Sequence, residues 1–248
     1  MGFWPVVNRV LDDCDVLIVV RDARVPDLSR NEELESKINK SRKMVYEVFN
    51  KIDLISRSEL EELKKKYPDG IFAVSTKKKG TDILKQKLIE KAAMSAQALR
   101  VGVVGYPNMG KSALINALAG QHKAKVASVA GTTKGSQWVR IADNILMIDT
   151  PGVIPFSQKD DQLVLLAAKN PEKIKELERA AYVIIRYLMQ KRTEALKRYV
   201  GTKEISREVD DVLEAIGKKK NFLVKGGLID MHRTSTQIIR DWQQGKIK

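Results

Sequence analysis

Several short segments hold residues whose types and spacing suit work on a nucleotide. Gly105-Tyr106-Pro107-Asn108-Met109-Gly110-Lys111-Ser112 sets two glycines ahead of a lysine and a serine. Glycine tolerates backbone conformations barred to other residues, so successive N–H groups in such a loop can turn inward around a phosphate. In this pattern Lys111 reaches the β- and γ-phosphates and Ser112 ligates Mg²⁺, with Asn108, Met109, Gly110 and Ala113 lining the loop. Asp149-Thr150-Pro151-Gly152 follows an apolar run. There a carboxylate can hold Mg²⁺ through water while the Gly152 N–H meets the γ-phosphate. Alone it is a weak signal; about 40 residues after a phosphate loop it is a strong one.

Asn50-Lys51-Ile52-Asp53 has the form of a base reader. A carboxylate at Asp53 can accept from guanine N1–H and from the exocyclic amine. Adenine has an acceptor at N1 and lacks that amine, so it would leave a buried charge unpaired, at a cost of about 1–3 kcal/mol. The segment therefore predicts GTP and GDP rather than ATP. Asn50 would tie loops together and the Lys51 stem would lie along the base. Ser75 and Thr76, after a strand-like run, would offer a backbone N–H to the guanine oxygen. Gly131-Thr132-Thr133 suits a switch that closes on Mg²⁺, with Thr133 as the ligand and Thr132 as its rival. Lys111, Thr133 and Gly152 are then the groups expected to touch the reacting phosphate.

The order of these segments is itself informative. Ordinary GTP-binding domains run phosphate loop, then Asp-x-x-Gly, then Asn-Lys-x-Asp. Here the base reader comes first and the Asp149 segment last, so the parts are rotated in sequence.

Such segments need strand ends to hold them. Val16–Val20, Met44–Phe49, Ile71–Val74 and Val101–Val104 are short, apolar and largely β-branched, as buried parallel strands are. Helical patterns cover roughly Asn31–Lys40, Arg57–Lys66, Thr81–Ala98 and Ala113–Ala119. Trp138–Ile141 and Ile145–Ile148 flank Asp143-Asn144, a hairpin signal. The alternation predicts an α/β fold: a three-layer P-loop domain whose mostly parallel sheet carries one antiparallel hairpin at its edge. Ligands of such sheets sit at the carboxyl ends of the strands, where the polar segments fall. Beyond Gly152 the period becomes helical. Ile174, Leu177, Ala181, Ile184 and Leu188 form one face, Ile205, Val209, Val212 and Ile216 another, and Met231, Ile238 and Trp242 a third. Only Asn221–Val224 is strand-like. The expected organisation is a GTP-binding domain over 1–158 and a small all-helical, RNA-binding domain over 159–248.

At 248 residues, with 43% apolar and 31% charged residues, the chain has the composition of a globular protein. Cys14 cannot form an internal disulfide and reads as a small buried hydrophobe in a reducing compartment. His122 and His232 suggest no metal cluster. No apolar run approaches the roughly 20 residues of a membrane helix, and the start has neither a signal-like nor a myristoylation pattern. A soluble, cytoplasmic monomer with no membrane partner is expected. The net charge is +14. Residues 155–248 hold 20 Lys and Arg against 13 Asp and Glu. Such a surplus suits a polyanion such as RNA, and equally a solubilising surface.

The chain resembles the circularly permuted GTPases of ribosome assembly, the family of ribosome-biogenesis GTPase A with its archaeal and nucleolar relatives. The resemblance runs through Asp22-Ala23-Arg24-Val25-Pro26, Ser29-Arg30-Asn31, Asn50–Asp53, Gly105–Ser112, Gly131–Lys134 and Asp149–Pro155. It ends on Gly227, Asp230, Arg233 and Asp241–Lys246, and covers nearly the whole chain. It implies GTP hydrolysis coupled to maturation of the large ribosomal subunit, with the subunit precursor and its rRNA as partners. Three positions depart from the family pattern. Ala130 stands where proline is common, residues 2–8 lack the N-terminal histidine of bacterial members, and Trp242-Gln243 replaces Phe-Arg.

Val153 occupies the place where many GTPases orient the attacking water with glutamine. Slow intrinsic turnover is expected, and a GTP-dependent RNA or protein scaffold is the rival reading. Asn108 can ligate K⁺ beside the phosphates, as it does in related loops, or merely stabilise its own loop. Arg24 serves as an arginine finger or a structural salt bridge. On the last helix Arg233, Gln237, Arg240 and Gln244 share one face, with Arg233 and Arg240 as the expected RNA contacts and a solvated face as the alternative.

Overall fold

A strand that is apolar on both faces is stable only where both are covered. Val16–Asp22, β1, meets that condition: all seven of its residues are buried. The computed structural model describes residues 4–120, 126–127, 138–152, 154–155, 159–168 and 174–248. Within them β2 (Met44–Asn50), β3 (Ile71–Ala73), β4 (Leu99–Val104), β5 (Val126–Ala127), β6 (Trp138–Ala142) and β7 (Ile145–Asp149) join β1 in one sheet, ordered β3-β2-β1-β4-β7-β6-β5. The first five strands in that order are parallel, and β6 and β5 complete it as antiparallel partners. This is the mostly parallel sheet with an edge hairpin that the apolar runs predict.

Helices cover both faces. On one, α1 (Trp4–Asp13) and α2 (Glu32–Ser41) bury Val10, Leu11, Leu34 and Ile38 against Leu17 and Val19. Asn31 caps α2 by accepting the Leu34 N–H. On the other, α4 (Thr81–Ala93) packs against β3, β7 and α5 (Lys111–Ala119). Helix α3 (Arg57–Lys66) starts in a Ser56–Glu59 capping box and buries Leu63 near Phe49 and Ala23. Cys14 is buried as expected, and burial pushes its thiol up to about 12.

The structure departs from the sequence expectations in three places here. Helix α1 and the two-residue β5 lie outside the elements that the sequence pattern predicts. Helix α4 ends at Ala93 rather than Ala98, because the Met94 and Ser95 N–H groups turn back to the Lys91 and Ala92 carbonyls and the Ser95 hydroxyl accepts the Gln97 N–H, a local turn before β4.

The chain divides into two compact units, Met1–Ser157 and Gln158–Lys248. The second contains α6 (Asp160–Leu165), α7 (Leu177–Lys191), α8 (Thr193–Val200), α9 (Val209–Lys219) and α10 (Met231–Gln243). Its core gathers Ile184, Leu188, Leu196, Ile216, Ile238 and Trp242, all fully or nearly fully buried. The Trp242 indole N–H donates to the Leu165 carbonyl at 3.0 Å, so the large side chain is buried without an orphaned donor. Ile174 and Ile205 lie outside the helices whose faces they were expected to extend. Beyond Ile205 the Ser206 hydroxyl accepts the Glu208 N–H at 3.1 Å, a local turn that delays the start of α9. The strand-like Asn221–Val224 makes only a single antiparallel bridge, Leu223 to Ile229.

Candidate functional site

Strands β2, β1, β4 and β7 end side by side and project their following loops toward one edge of the sheet. Gly110, with φ 92°, closes the phosphate loop and precedes the first turn of α5. A Cβ there would come within 2.3 Å of Asn50 Nδ2, so the glycine permits both the left-handed turn and the approach of the base-reading loop. The first N–H groups of an α-helix have no intrahelical partner, and α5 begins directly after the loop, the arrangement that binds phosphate at a helix N-terminus.

Asn50, 3% exposed, joins three distant segments. Its Nδ2 donates to the Met109 carbonyl at 2.9 Å, and its Oδ1 accepts the Ser75 N–H at 3.0 Å and the Ser75 hydroxyl at 2.9 Å. Lys51 donates to the Asn108 carbonyl at 2.7 Å. Asp53 projects half-buried nearby, with one oxygen accepting from Lys77 Nζ at 3.0 Å. Lys77 is largely exposed, so this pair is weak and open to exchange for a ligand. The Ser75 N–H is engaged by Asn50, whereas Thr76 is exposed on the same short 3₁₀ turn.

Around the phosphate loop, Lys111 is buried and donates to the carbonyls of Tyr106 at 2.9 Å and Gly105 at 3.3 Å. Burial lowers its pKa to about 8, against the opposing pull of Asp149. The Ser112 hydroxyl donates to Asp149 Oδ2, while the buried Asp149 Oδ1 has no hydrogen-bond partner among the described residues. A buried, unpartnered carboxylate oxygen beside a serine hydroxyl is the donor chemistry of a hard divalent cation, and these two residues fit Mg²⁺. Gly152 lies against the phosphate loop so closely that a Cβ would sit 2.3 Å from the Pro107 nitrogen. Pro107, Asn108, Lys111, Ser112, Val139 and Asp149–Gly152 line one cavity of about 640 Å³. That volume falls within the range of small-molecule sites. Ala113 stands half-buried in the first turn of α5.

Thr133 and its rival Thr132, Ala130 and Val153 lie outside the described residues. Arg24 is a structural salt bridge: its side chain is fully buried, with Nη2 2.8 Å from Asp22 Oδ2. The sequence offers Arg24 as a salt bridge without naming its partner, and Asp22 stands there only within the family resemblance. A carboxylate closing a buried strand that opens with five apolar residues, next to the strand that leads into Asn50–Asp53, is the signal that could have singled it out.

In the helical unit Arg233, Arg240 and Gln244 are exposed on α10 and just beyond it. The Arg233 guanidinium lies 4.3 Å from the centre of the Phe222 ring. Gln237 is turned from the expected stripe, because the buried Asp241 carboxylate accepts its amide N–H at 2.8 Å. Among the described residues no helix is long and apolar enough to cross a membrane.

Comparison with known proteins agrees with this geometry. The 50S ribosome-binding GTPase family matches residues 100–225, and the RsgA GTPase family matches residues 10–159. An uncharacterized GTP-binding protein of Methanocaldococcus jannaschii is 42% identical over 98% of this chain and 65% of its own length. The ribosome biogenesis GTPase A of Bacillus cereus is 30% identical over 97% of this chain and 86% of its own. Nuclear/nucleolar GTPase 2 of Arabidopsis thaliana is 32% identical over 98% and 43% respectively. The chain thus spans between 43% and 65% of the length of the first curated relatives it matches. GNP-bound YlqF from T. maritima shares the fold, with a TM-score of 0.65 at 24% identity over 98% of this chain and 94% of that one.

Proposed function

Because the chain belongs to the 50S ribosome-binding GTPase family, we propose that it binds GTP with Mg²⁺, hydrolyses it, and couples the change to assembly of the large ribosomal subunit. The observation that carries the reading is Asn50, which links base reader, phosphate loop and Ser75 turn beside Lys111 and Asp149. In this reading Asp53 takes the amine-bearing edge of guanine and the Thr76 amide serves the guanine oxygen. Lys111, relieved of its loop carbonyls by the ligand, neutralises the β- and γ-phosphates. Ser112 and Asp149 hold Mg²⁺, which when bound screens phosphate charge and orients the γ-phosphate. Gly152 offers its N–H to the γ-phosphate, and Thr133 closes from the switch.

Partners in this reading are the subunit precursor and its rRNA, with a cytoplasmic monomer as the acting form. Asn108 is a candidate ligand of K⁺, whose charge would stand where an arginine finger otherwise acts. Val153 favours the second reading, a scaffold that holds GTP with negligible turnover.

Nucleotide titration tests the first step. GTP and GDP should bind far more tightly than ATP, and Lys111→Ala or Asp53→Ala should weaken binding about tenfold or more. ATP held as tightly as GTP would remove the proposal. Single-turnover hydrolysis, with and without large subunits and in KCl against NaCl, then separates enzyme from scaffold. Subunits should accelerate the enzyme, K⁺ should do so if Asn108 ligates it, and no turnover under any condition favours the scaffold.

A further inference from the structure

We infer that Asp22 is a positioning residue that locks the base-reading loop onto the phosphate loop through Lys51. The inference rests on the guanine-nucleotide reading and deepens it. Asp22 ends β1 and stands in register with Asn50 at the end of β2, so the residue after Asn50 comes within its reach. Asp22 Oδ1 accepts the Arg24 backbone N–H and Nε, each at 3.0 Å. Asp22 Oδ2 accepts Arg24 Nη2 and Lys51 Nζ, each at 2.8 Å. Lys51 Nζ also donates to the Asn108 carbonyl, so one ammonium bridges the buried carboxylate and the phosphate loop.

Two further observations point the same way. Arg24 already neutralises Asp22, and both side chains are fully buried. The Lys51 charge is therefore surplus, and the triad carries net positive charge at the rim of the loop, the sign a polyphosphate requires. Lys51 and Asn108 also both adopt left-handed backbone conformations, with φ of 66° and 61°. Non-glycine residues hold such conformations where their surroundings over-determine them. A flexible lysine stem would otherwise wander; the buried carboxylate removes that freedom before any ligand arrives.

The test is a cycle of GDP affinities in the intact chain. Asp22→Asn alone would leave the Arg24 guanidinium buried without its counter-ion. The pair is therefore neutralised together as Asp22→Asn/Arg24→Gln, and compared with Lys51→Met and with the triple variant. Melting without nucleotide checks that each is folded. Both the pair and Lys51→Met should lose about tenfold or more in GDP affinity. The triple variant should lose no more than Lys51→Met, because the groups act as one path. A neutralised pair that binds GDP like the wild type, or losses that multiply in the triple variant, would overturn the inference. If the neutralised pair does not fold, the wild-type Lys51 ammonium resonance decides. Slow proton exchange without nucleotide supports the anchor, and exchange as fast as in exposed lysines overturns it. Wild-type protein that takes up no GDP would sink the nucleotide reading itself, an outcome visible before any variant is made.

Discussion

At the scale of single residues, the absence of a side chain is as consequential as its presence. A Cβ on Gly152 would meet the Pro107 nitrogen at 2.3 Å and its Cα at 2.5 Å, backbone atoms that cannot swing aside. Gly152→Ala must therefore lift the Asp149–Gly152 segment from the phosphate loop. If the Gly152 N–H serves the γ-phosphate, affinity for a GTP analogue should fall about tenfold while GDP affinity changes little. Paired titrations measure this, and equal losses for both ligands would make the contact merely structural. Lys111, Ser112, Asp149 and Asn50–Asp53, which the structure brings together, are legible in sequence as one candidate site because chemistry fixes their types at short spacings. Asp22 and Arg24 were less so. An Asp-x-Arg pair in isolation looks like any surface ion pair, and only the register of β1 against β2 sets it beside Lys51.

At the scale of elements, local period was readable where packing agreed with it. Helix α3 spans the expected Arg57–Lys66, with its capping box intact. Helix α1 is a weak sequence signal although Val7, Val10, Leu11 and Cys14 follow helical spacing, because its valines are β-branched and weak helix formers. It forms because that stripe is buried against the sheet. Sequence also did not reveal how α10 is anchored. Asp241, nearly fully buried, accepts from Tyr199 at 2.8 Å, Gln237 at 2.8 Å and Lys220 at 3.2 Å, thereby tying α8, α9 and α10 together. Burial favours its protonated form, yet the Tyr199, Lys220 and Gln237 donors prevail and hold the carboxyl below its usual range. The ionised form is thus favoured in the folded unit, so its stabilisation is present at neutral pH and is lost as pH falls through and below the ordinary carboxylate value near 4. Asp241→Asn should destabilise α10 by about 1–3 kcal/mol at pH 7, with the gap from wild type narrowing below about pH 4. Hydrogen exchange of α10 amides, compared at matched pH, checks this. A gap that widens in acid would show that the sign is wrong.

At the scale of the whole molecule, chain order and charge carry the argument. Permutation leaves the Gly152 segment as the last part of the proposed nucleotide site, and the helical unit follows from Gln158. In the proposed cycle, loss of the γ-phosphate therefore acts on the segment closest in sequence to the helical unit. The helical unit holds 20 Lys and Arg against 13 Asp and Glu, a surplus that in the proposed cycle would suit a polyanionic partner. On α10, Arg233 and Arg240 are exposed, and the Arg233 guanidinium lies over the Phe222 ring, a cation–π contact. If both meet RNA phosphates, Arg233→Glu/Arg240→Glu should weaken co-sedimentation with large-subunit particles. The dependence of log affinity on log salt should flatten by about two, roughly one for each lost phosphate contact. Nucleotide affinity should not change, since neither residue belongs to the nucleotide site. Particle affinity and salt slope both equal to wild type would mean that the two arginines form only a solvated face, and the RNA contact would have to be sought elsewhere on the chain.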